Sequence, residues 1–201
     1  MKRYLGFIFF IAAILLPAFC FAEIPYEIAG FKLGAPLEEF QDRCNLGSSM
    51  PLRYTKYIEE LETRYIPGFK NGLLWVGKCV SNGRIVRIRM KYADSSKKFY
   101  NELLKRCKKR FGKPTEWRGD PFHIVISWKW SFVDDRNNRI SMILEHNLRN
   151  EEETSGNTIK LTMWNLIGEE RDCATEKMAA QPAPKKKSAP EPVDWESLLP
   201  R

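Results

Sequence analysis

Residues 73–92 read LLWVGKCVSNGRIVRIRMKY, and the fold turns on how this stretch pairs with itself. Asn82-Gly83 is the strongest short-range hairpin signal in the chain, because both central positions of a two-residue loop need positive φ. Such a loop pairs Ser81 with Arg84. Counting outward, Cys79 faces Val86, Gly77 faces Ile88, Trp75 faces Met90 and Leu73 faces Tyr92. These eight residues then share one side of the sheet, and Lys78, Arg87, Arg89 and Lys91 share the other.

Downstream, Asp94 or Ser95 caps a helix that runs to Phe111, with Gly112 and Pro114 ending it in the expected order. Phe99, Leu103, Cys107 and Phe111 form its apolar stripe, opposite Lys97, Lys98, Lys105, Lys108 and Lys109. That stripe is expected to lie across the apolar side of the hairpin, with Cys107 close to Cys79. Residues 122–133 alternate an aromatic-rich set (Phe122, Ile124, Ile126, Trp128, Trp130, Phe132) with a mostly polar one. A polar turn at 134–138 leads to Ile140, Met142, Leu144 and His146. Matching apolar to apolar selects the register Phe132–Ile140, Trp130–Met142, Trp128–Leu144 and Ile126–His146. Past an acidic loop, Glu151 to Gly156, the segment Thr158 to Trp164 is a last strand with Ile159, Leu161 and Met163 inward, and Gly168 to Lys177 a closing helix. The expected fold class is α+β: a mostly antiparallel sheet of about five strands with helices packed on one face, a two-layer sandwich.

Upstream, Ile28-Ala29-Gly30-Phe31-Lys32-Leu33-Gly34 is a short apolar segment closed by glycine. Ala35-Pro36-Leu37-Glu38-Glu39-Phe40 opens a helix, with proline in its first turn and two acids at the positive end of its dipole. Leu37, Phe40 and Cys44 fall on one stripe, which places Cys44 inside. Residues 52–66 fit a helix through Tyr54, Tyr57, Ile58 and Leu61, and a strand through Thr63 to Ile66; both stay open. The Phe-x-Leu-Gly segment followed by a short acidic helix resembles the opening of small secreted envelope domains such as outer-membrane assembly lipoproteins of the BamE/SmpA type. The likeness covers about a dozen residues and implies an envelope setting; it carries over no functional residue.

The beginning of the chain supports the same setting. Lys2-Arg3, the apolar run Leu5 to Leu16, then Pro17 and Ala18-Phe19-Cys20-Phe21-Ala22 have the form of a secretory signal peptide over residues 1–22, with an uncleaved membrane anchor as the alternative. One α+β domain is expected over 23–178, a Pro/Ala/Lys-rich linker over 179–192 and a short docking peptide over 193–201. Export to a periplasmic or extracellular compartment favours disulfides among Cys44, Cys79, Cys107 and Cys173. Helix-on-hairpin geometry pairs Cys79 with Cys107 and leaves Cys44 with Cys173; buried free thiols are the other reading.

The chain carries 33 basic and 25 acidic residues, a formal +8. Setting aside Lys2 and Arg3 with the leader leaves 31 basic residues against 25 acidic, or +6. This biases encounter toward anionic partners without encoding recognition. Arg87, Arg89, Lys91, Lys129 and Lys160 gather on the outer sheet face. Aromatics interleaved with the basic residues, the device of single-strand nucleic-acid binders, are limited there to Trp164, so nucleic acid is not expected. The two histidines, His123 and His146, fall on opposite faces and cannot share a metal or complete a catalytic triad. No cofactor motif is present, and no catalytic or metal-ligating residue is assigned.

Two contact regions remain. The loop Lys113 to Pro121 carries Trp117 beside Arg118, readable as a binding lip or as a plug over the core edge. Beyond the linker, Trp195, Leu198 and Leu199 at i, i+3 and i+4 form one face of a helical turn, the pattern of a peptide that docks on an envelope partner or back on its own domain. The functional expectation is an exported, non-catalytic binding or envelope-accessory protein. The alternatives are an exported hydrolase using carboxylates and a basic binder of anionic lipid or wall polymer.

Overall fold

Alternation in Val125–Val133 and Arg139–Asn147 makes the best-defined hairpin of the molecule, pairing Phe132 with Ile140, Trp130 with Met142, Trp128 with Leu144 and Ile126 with His146 as its apolar pattern demands. The computed structural model describes residues 23–80, 83–147 and 156–180. The leader, most of the acidic loop and the tail holding Trp195, Leu198 and Leu199 lie outside the described residues.

In chain order the elements are β1 (Glu27–Ile28), β2 (Phe31–Lys32), a 3-10 helix (Leu37–Arg43), β3 (Cys44–Leu52), β4 (Thr55–Thr63), β5 (Phe69–Gly77), β6 (Ile85–Tyr92) and α1 (Lys97–Phe111). Then follow β7 (Glu116–Trp117), β8 (Val125–Val133), β9 (Arg139–Asn147), β10 (Asn157–Met163) and α2 (Trp164–Ala179). β3 to β10 form one eight-stranded antiparallel sheet in the order β3-β4-β5-β6-β10-β9-β8-β7, and β1-β2 is a separate two-stranded ribbon. This corrects the expected sandwich of about five strands with helices on one face. Residues 44–63 are strands that periodicity left ambiguous or missed. β3 and β4 share an irregular, bulged register, and β3 is exposed along most of its length, so neither shows clean alternation.

The helices take opposite faces. α1 packs over the β8–β10 half: Tyr100 stacks on His146, Phe111 meets Phe132 edge-on and the Trp130 indole N–H donates to Gly112 O at 2.9 Å. Its first turn is capped by Ser96, and the buried Asn157 amide donates to the carbonyls of Asp94 and Ser96 just before it. α2 crosses one end of the other face, where the Trp164 indole donates to Ser141 and Glu170 presses against Gly77.

The Asn82-Gly83 hairpin is also corrected. β5 and β6 pair Leu73 with Arg89, Leu74 with Ile88 and Trp75 with Arg87, three residues away from the two-residue-loop register. An odd shift exchanges faces, so Leu74 and Val76 go into the core and Trp75 and Gly77 join the polar side. The pairing ends at Gly77, whose N–H donates to Arg84 O, and the next amides turn to α2: Cys79 and Val80 N–H both donate to Glu170. On the other edge of the same stretch, Gly34 N–H donates to Ile85 O, Ile85 N–H to Ala35 O and Leu37 N–H to Gly83 O, so residues 34–37 pair on the side away from β5. Residues 78–80 thus leave the ladder, and Ser81 and Asn82 lie outside the described residues. Cys79 is bonded to Cys173 of α2, while Cys44 and Cys107 are buried free thiols. Both expected pairings are thereby replaced.

One core lies on the α1 side. Phe31, Leu61, Leu74, Ile88, Met90, Trp130, Met142 and Leu144 are all essentially closed to solvent there. The lead-in covers the part α1 does not reach, and Glu23 is tied to Arg110 of α1 by two bonds of 2.5 Å.

Candidate functional site: the basic sheet face

Alternation that buries one side of a strand exposes the other, and here the other side is cationic. Registers across β5, β6, β10, β9 and β8 line up Trp75, Arg87, Thr162, Ser141 and Ser131 in one row, and Leu73, Arg89, Lys160, Ile143 and Lys129 in the next. All five basic residues assigned to the outer face from their parity are found on it.

Arg87 is the centre of this surface. Its guanidinium lies 3.7 Å from the Trp75 ring centroid and 5.7 Å from that of Trp164, and its Nε–H donates to Thr162 Oγ1 at 2.9 Å. Trp75 is held edge-on by its indole N–H, which donates to Glu60 of β4. Burial pulls the guanidinium down to about 10, against the raising effect of Glu60, and leaves it charged at neutral pH. Lys160, the next cation on β10, is also lowered, first by burial and then by Arg87, with Glu145 opposing. Neither Arg87 nor Lys160 lies within ion-pairing distance of a carboxylate among the described residues. Lys129, by contrast, is paired with Glu116 at 3.0 Å.

The face runs into a cleft of about 490 Å³ where α2 leaves the sheet, lined on its polar side by Lys129, Ser131, Arg139 and Arg171 and on its apolar side by Trp164 and Ile167. Among the described residues no carboxylate lines it. Trp164 is 42 % exposed, so an apolar surface stands beside the cations.

Trp117 and Arg118, neighbours in sequence, turn to different sides of the sheet edge. β7 pairs Trp117 with Trp128 on the α1 side, and the two rings meet edge-on at 4.8 Å. Arg118 is bonded to Glu116 and its charge reaches Lys160 on the basic side. Trp117 therefore covers the core edge, and Arg118 is a margin of the basic face. His123 is in the turn before β8 with φ of 57°, against Trp117. His146 is buried, and its Nδ1–H donates to Asn157 Oδ1 at 2.7 Å, which orients the amide that holds the start of α1. Trp75 was missed as part of the basic face because the hairpin loop was read too short; Glu60 was missed because β4 was not assigned.

A second cavity of about 570 Å³ does gather acids from separate segments, Glu39 with Asp134 and Asp135. Asp134, however, organises its own turn. It accepts from the Tyr26 hydroxyl at 2.6 Å, from the Asn138 side chain and from the backbone N–H groups of Arg136 and Asn138. The Tyr26 bond, ahead of those from Asn138 and Arg136, holds its carboxyl down at about 2, and Tyr26 is pushed up to about 12 by burial and by the same contact. A carboxylate so fixed in its ionised form is no general acid. Among the described residues no group of three His, Cys, Asp or Glu side chains is placed to hold a metal, and no helix is long and apolar enough to cross a membrane. Comparison with known proteins finds no matching family model, no matching curated protein and no matching solved structure.

Proposed function

We propose that the protein is an exported, non-catalytic binding module whose open sheet face takes an anionic ligand, an acidic polymer of the cell envelope foremost. The observation that carries this reading is the pair Arg87 and Lys160, half-buried in the middle of a sheet face without a carboxylate partner among the described residues. Desolvating a cation is costly unless something neutralises it, and a bound anion supplies what the fold leaves out. The basic cleft beside Trp164 extends the same surface with room for a flat or apolar group next to the charge. The Cys79–Cys173 disulfide supports an oxidising compartment.

The test is binding of the full chain to two immobilised probes, inorganic polyphosphate and a uronate polymer, at low and high ionic strength. Affinity is expected to fall steeply with salt, and Arg87→Ala with Lys160→Gln to weaken it by roughly tenfold or more, about 1.4 kcal/mol per decade. Binding that ignores both salt and the double substitution would sink the reading. Export is tested separately by intact mass of the chain recovered outside the cytoplasm, expected to begin at Glu23.

A further inference from the structure

Farther along α2 than the basic cleft, and bordering it at Tyr57, lies a groove of about 570 Å³ between the β3–β4 turn and the last turns of the helix. Its cations are Arg53, Lys56, Lys78 and Lys177, and among the described residues no carboxylate lines it. Its apolar part is unusually bare: Tyr54 is 86 % exposed and Met178 73 %, with Tyr57 between them. Lys78 is paired with Glu59, and Lys177 donates to Cys79 O; Arg53 and Lys56 stand in no ion pair among the described residues.

We propose that this groove is the docking site for residues 191–199 of the same chain. Three observations on independent properties converge on that occupant. The first is charge: EPVDWESLL contains Glu191, Asp194 and Glu196 and no cation, against a groove whose charged lining residues, among those described, are all cations. The second is shape. Trp195, Leu198 and Leu199 at helical spacing make one apolar strip with carboxylates beside it, which matches Tyr54, Tyr57 and Met178 flanked by Arg53 and Lys56. The third is position. α2 ends at Ala179, one residue past the groove wall at Met178, so the segment's own chain starts beside its site. Residues 181–190 between them reach roughly 30 Å at about 3.1 Å per residue if extended, ample for the chain to turn back.

Proximity then makes a weak contact sufficient. A short tether holds the segment at an effective concentration on the order of 1 mM, so a contact with a dissociation constant of about 0.1 mM is closed roughly nine-tenths of the time. Lys185, Lys186 and Lys187 lie in the linker, outside the segment that docks. The groove borders the basic cleft at Tyr57 and shares none of its cations.

Amide hydrogen exchange of the full chain tests this. Residues 53–57 and 174–178 are expected to exchange about tenfold faster in Trp195→Ser with Leu198→Ser and Leu199→Ser than in the parent chain. Equal rates in the two chains overturn the proposal. Arg53→Glu with Lys56→Glu is expected to release the segment as well, and adding Asp194→Lys with Glu196→Lys to restore protection; no restoration overturns the charge pairing. Protection that grows with protein concentration assigns the contact to a second copy, and protection that appears only on addition of envelope extract assigns it to a partner. Either result overturns docking within the chain.

Discussion

On one face of the eight-stranded sheet Leu74, Ile88, Met90, Met142 and Leu144 are closed to solvent beneath α1 and the lead-in, while on the other Arg87, Lys160 and Lys129 stand in half-covered rows crossed only at one end by α2. The same strands build both. The closed face concentrates buried apolar area, which stabilises at about 25 cal/mol per Å²; the open face keeps charges whose solvation and ligand contacts matter more than their packing. Substitutions should therefore separate: the closed face and the anchor of α2 govern stability, the cationic rows of the open face govern binding.

The largest effect is expected from Trp130→Ala. Its side chain is 1 % exposed and its indole N–H is bonded to Gly112 O at the end of α1. A loss of about 4 kcal/mol is expected in urea unfolding, from transfer, cavity and an orphaned carbonyl. A loss under about 1 kcal/mol would mean that α1 contributes little to closing that face.

Cys79→Ser with Cys173→Ser comes next. The bond ties the loop after β5 to α2 across 94 residues, and removing it should cost about 3 kcal/mol. Because it anchors the helix that bounds the open face, the variant should also bind polyphosphate less well; stability loss with unchanged binding would place α2 outside the ligand surface.

Gly77→Ala follows, at about 2 kcal/mol. An added Cβ there would run into the Glu170 carboxylate, which is 1 % exposed and accepts from Cys79 and Val80 N–H. Restored stability in Gly77→Ala with Glu170→Ala, relative to Glu170→Ala alone, would identify that clash as the cause.

How far this contrast could be read beforehand depended on how strongly each strand differs between its two sides. In β8, aromatics alternate with Ser127, Lys129 and Ser131, and any slip would set tryptophan against charge, so its register with β9 was legible. In β5 nearly every residue is apolar or glycine, and nothing in LLWVG distinguishes inside from outside. The Asn82-Gly83 turn then carried the whole inference, and it failed because partners some ninety residues later, Glu170 and Cys173 of α2, hold Cys79 and Val80 away from the ladder. Those contacts are long-range and have no local signature. The disulfide partners and the place of Trp75 on the basic face were lost with the register. The cations of β6, β8 and β10 were legible because each follows the parity of its own strand. β3 and β4, with bulges and glutamates on both sides, offered no period to read.

Acid tests a seam on the closed side. Asp134 has its carboxyl held at about 2, below the ordinary 3.8, chiefly by Tyr26. A depressed carboxylate contributes stability that is complete above its unfolded value and is lost as pH falls through 3.8 toward 2. Thermal unfolding temperature should drop across that window, and Tyr26→Phe should shallow the drop, because Tyr26 is the strongest of the contacts that depress Asp134. An unchanged slope in Tyr26→Phe would assign the acid limb to other carboxylates.

The smallest stability effect, and the sharpest contrast, belongs to Lys160→Gln. Burial, then Arg87, lowers the ammonium's pKa in the folded chain, so the folded state holds this proton less tightly than the unfolded one. Its charge therefore opposes folding at neutral pH, and stability should rise as pH climbs through the lowered folded value toward the ordinary 10.5. Lys160→Gln removes the opposing charge, so stability at pH 7 should stay within about 0.5 kcal/mol of the parent, and the alkaline rise should flatten. Affinity for an anionic polymer should nonetheless fall severalfold, since the lost cation stands in no ion pair among the described residues. A variant destabilised by more than about 1 kcal/mol would instead make the lysine stem part of the sheet's packing, and the open face would then be as structural as the closed one.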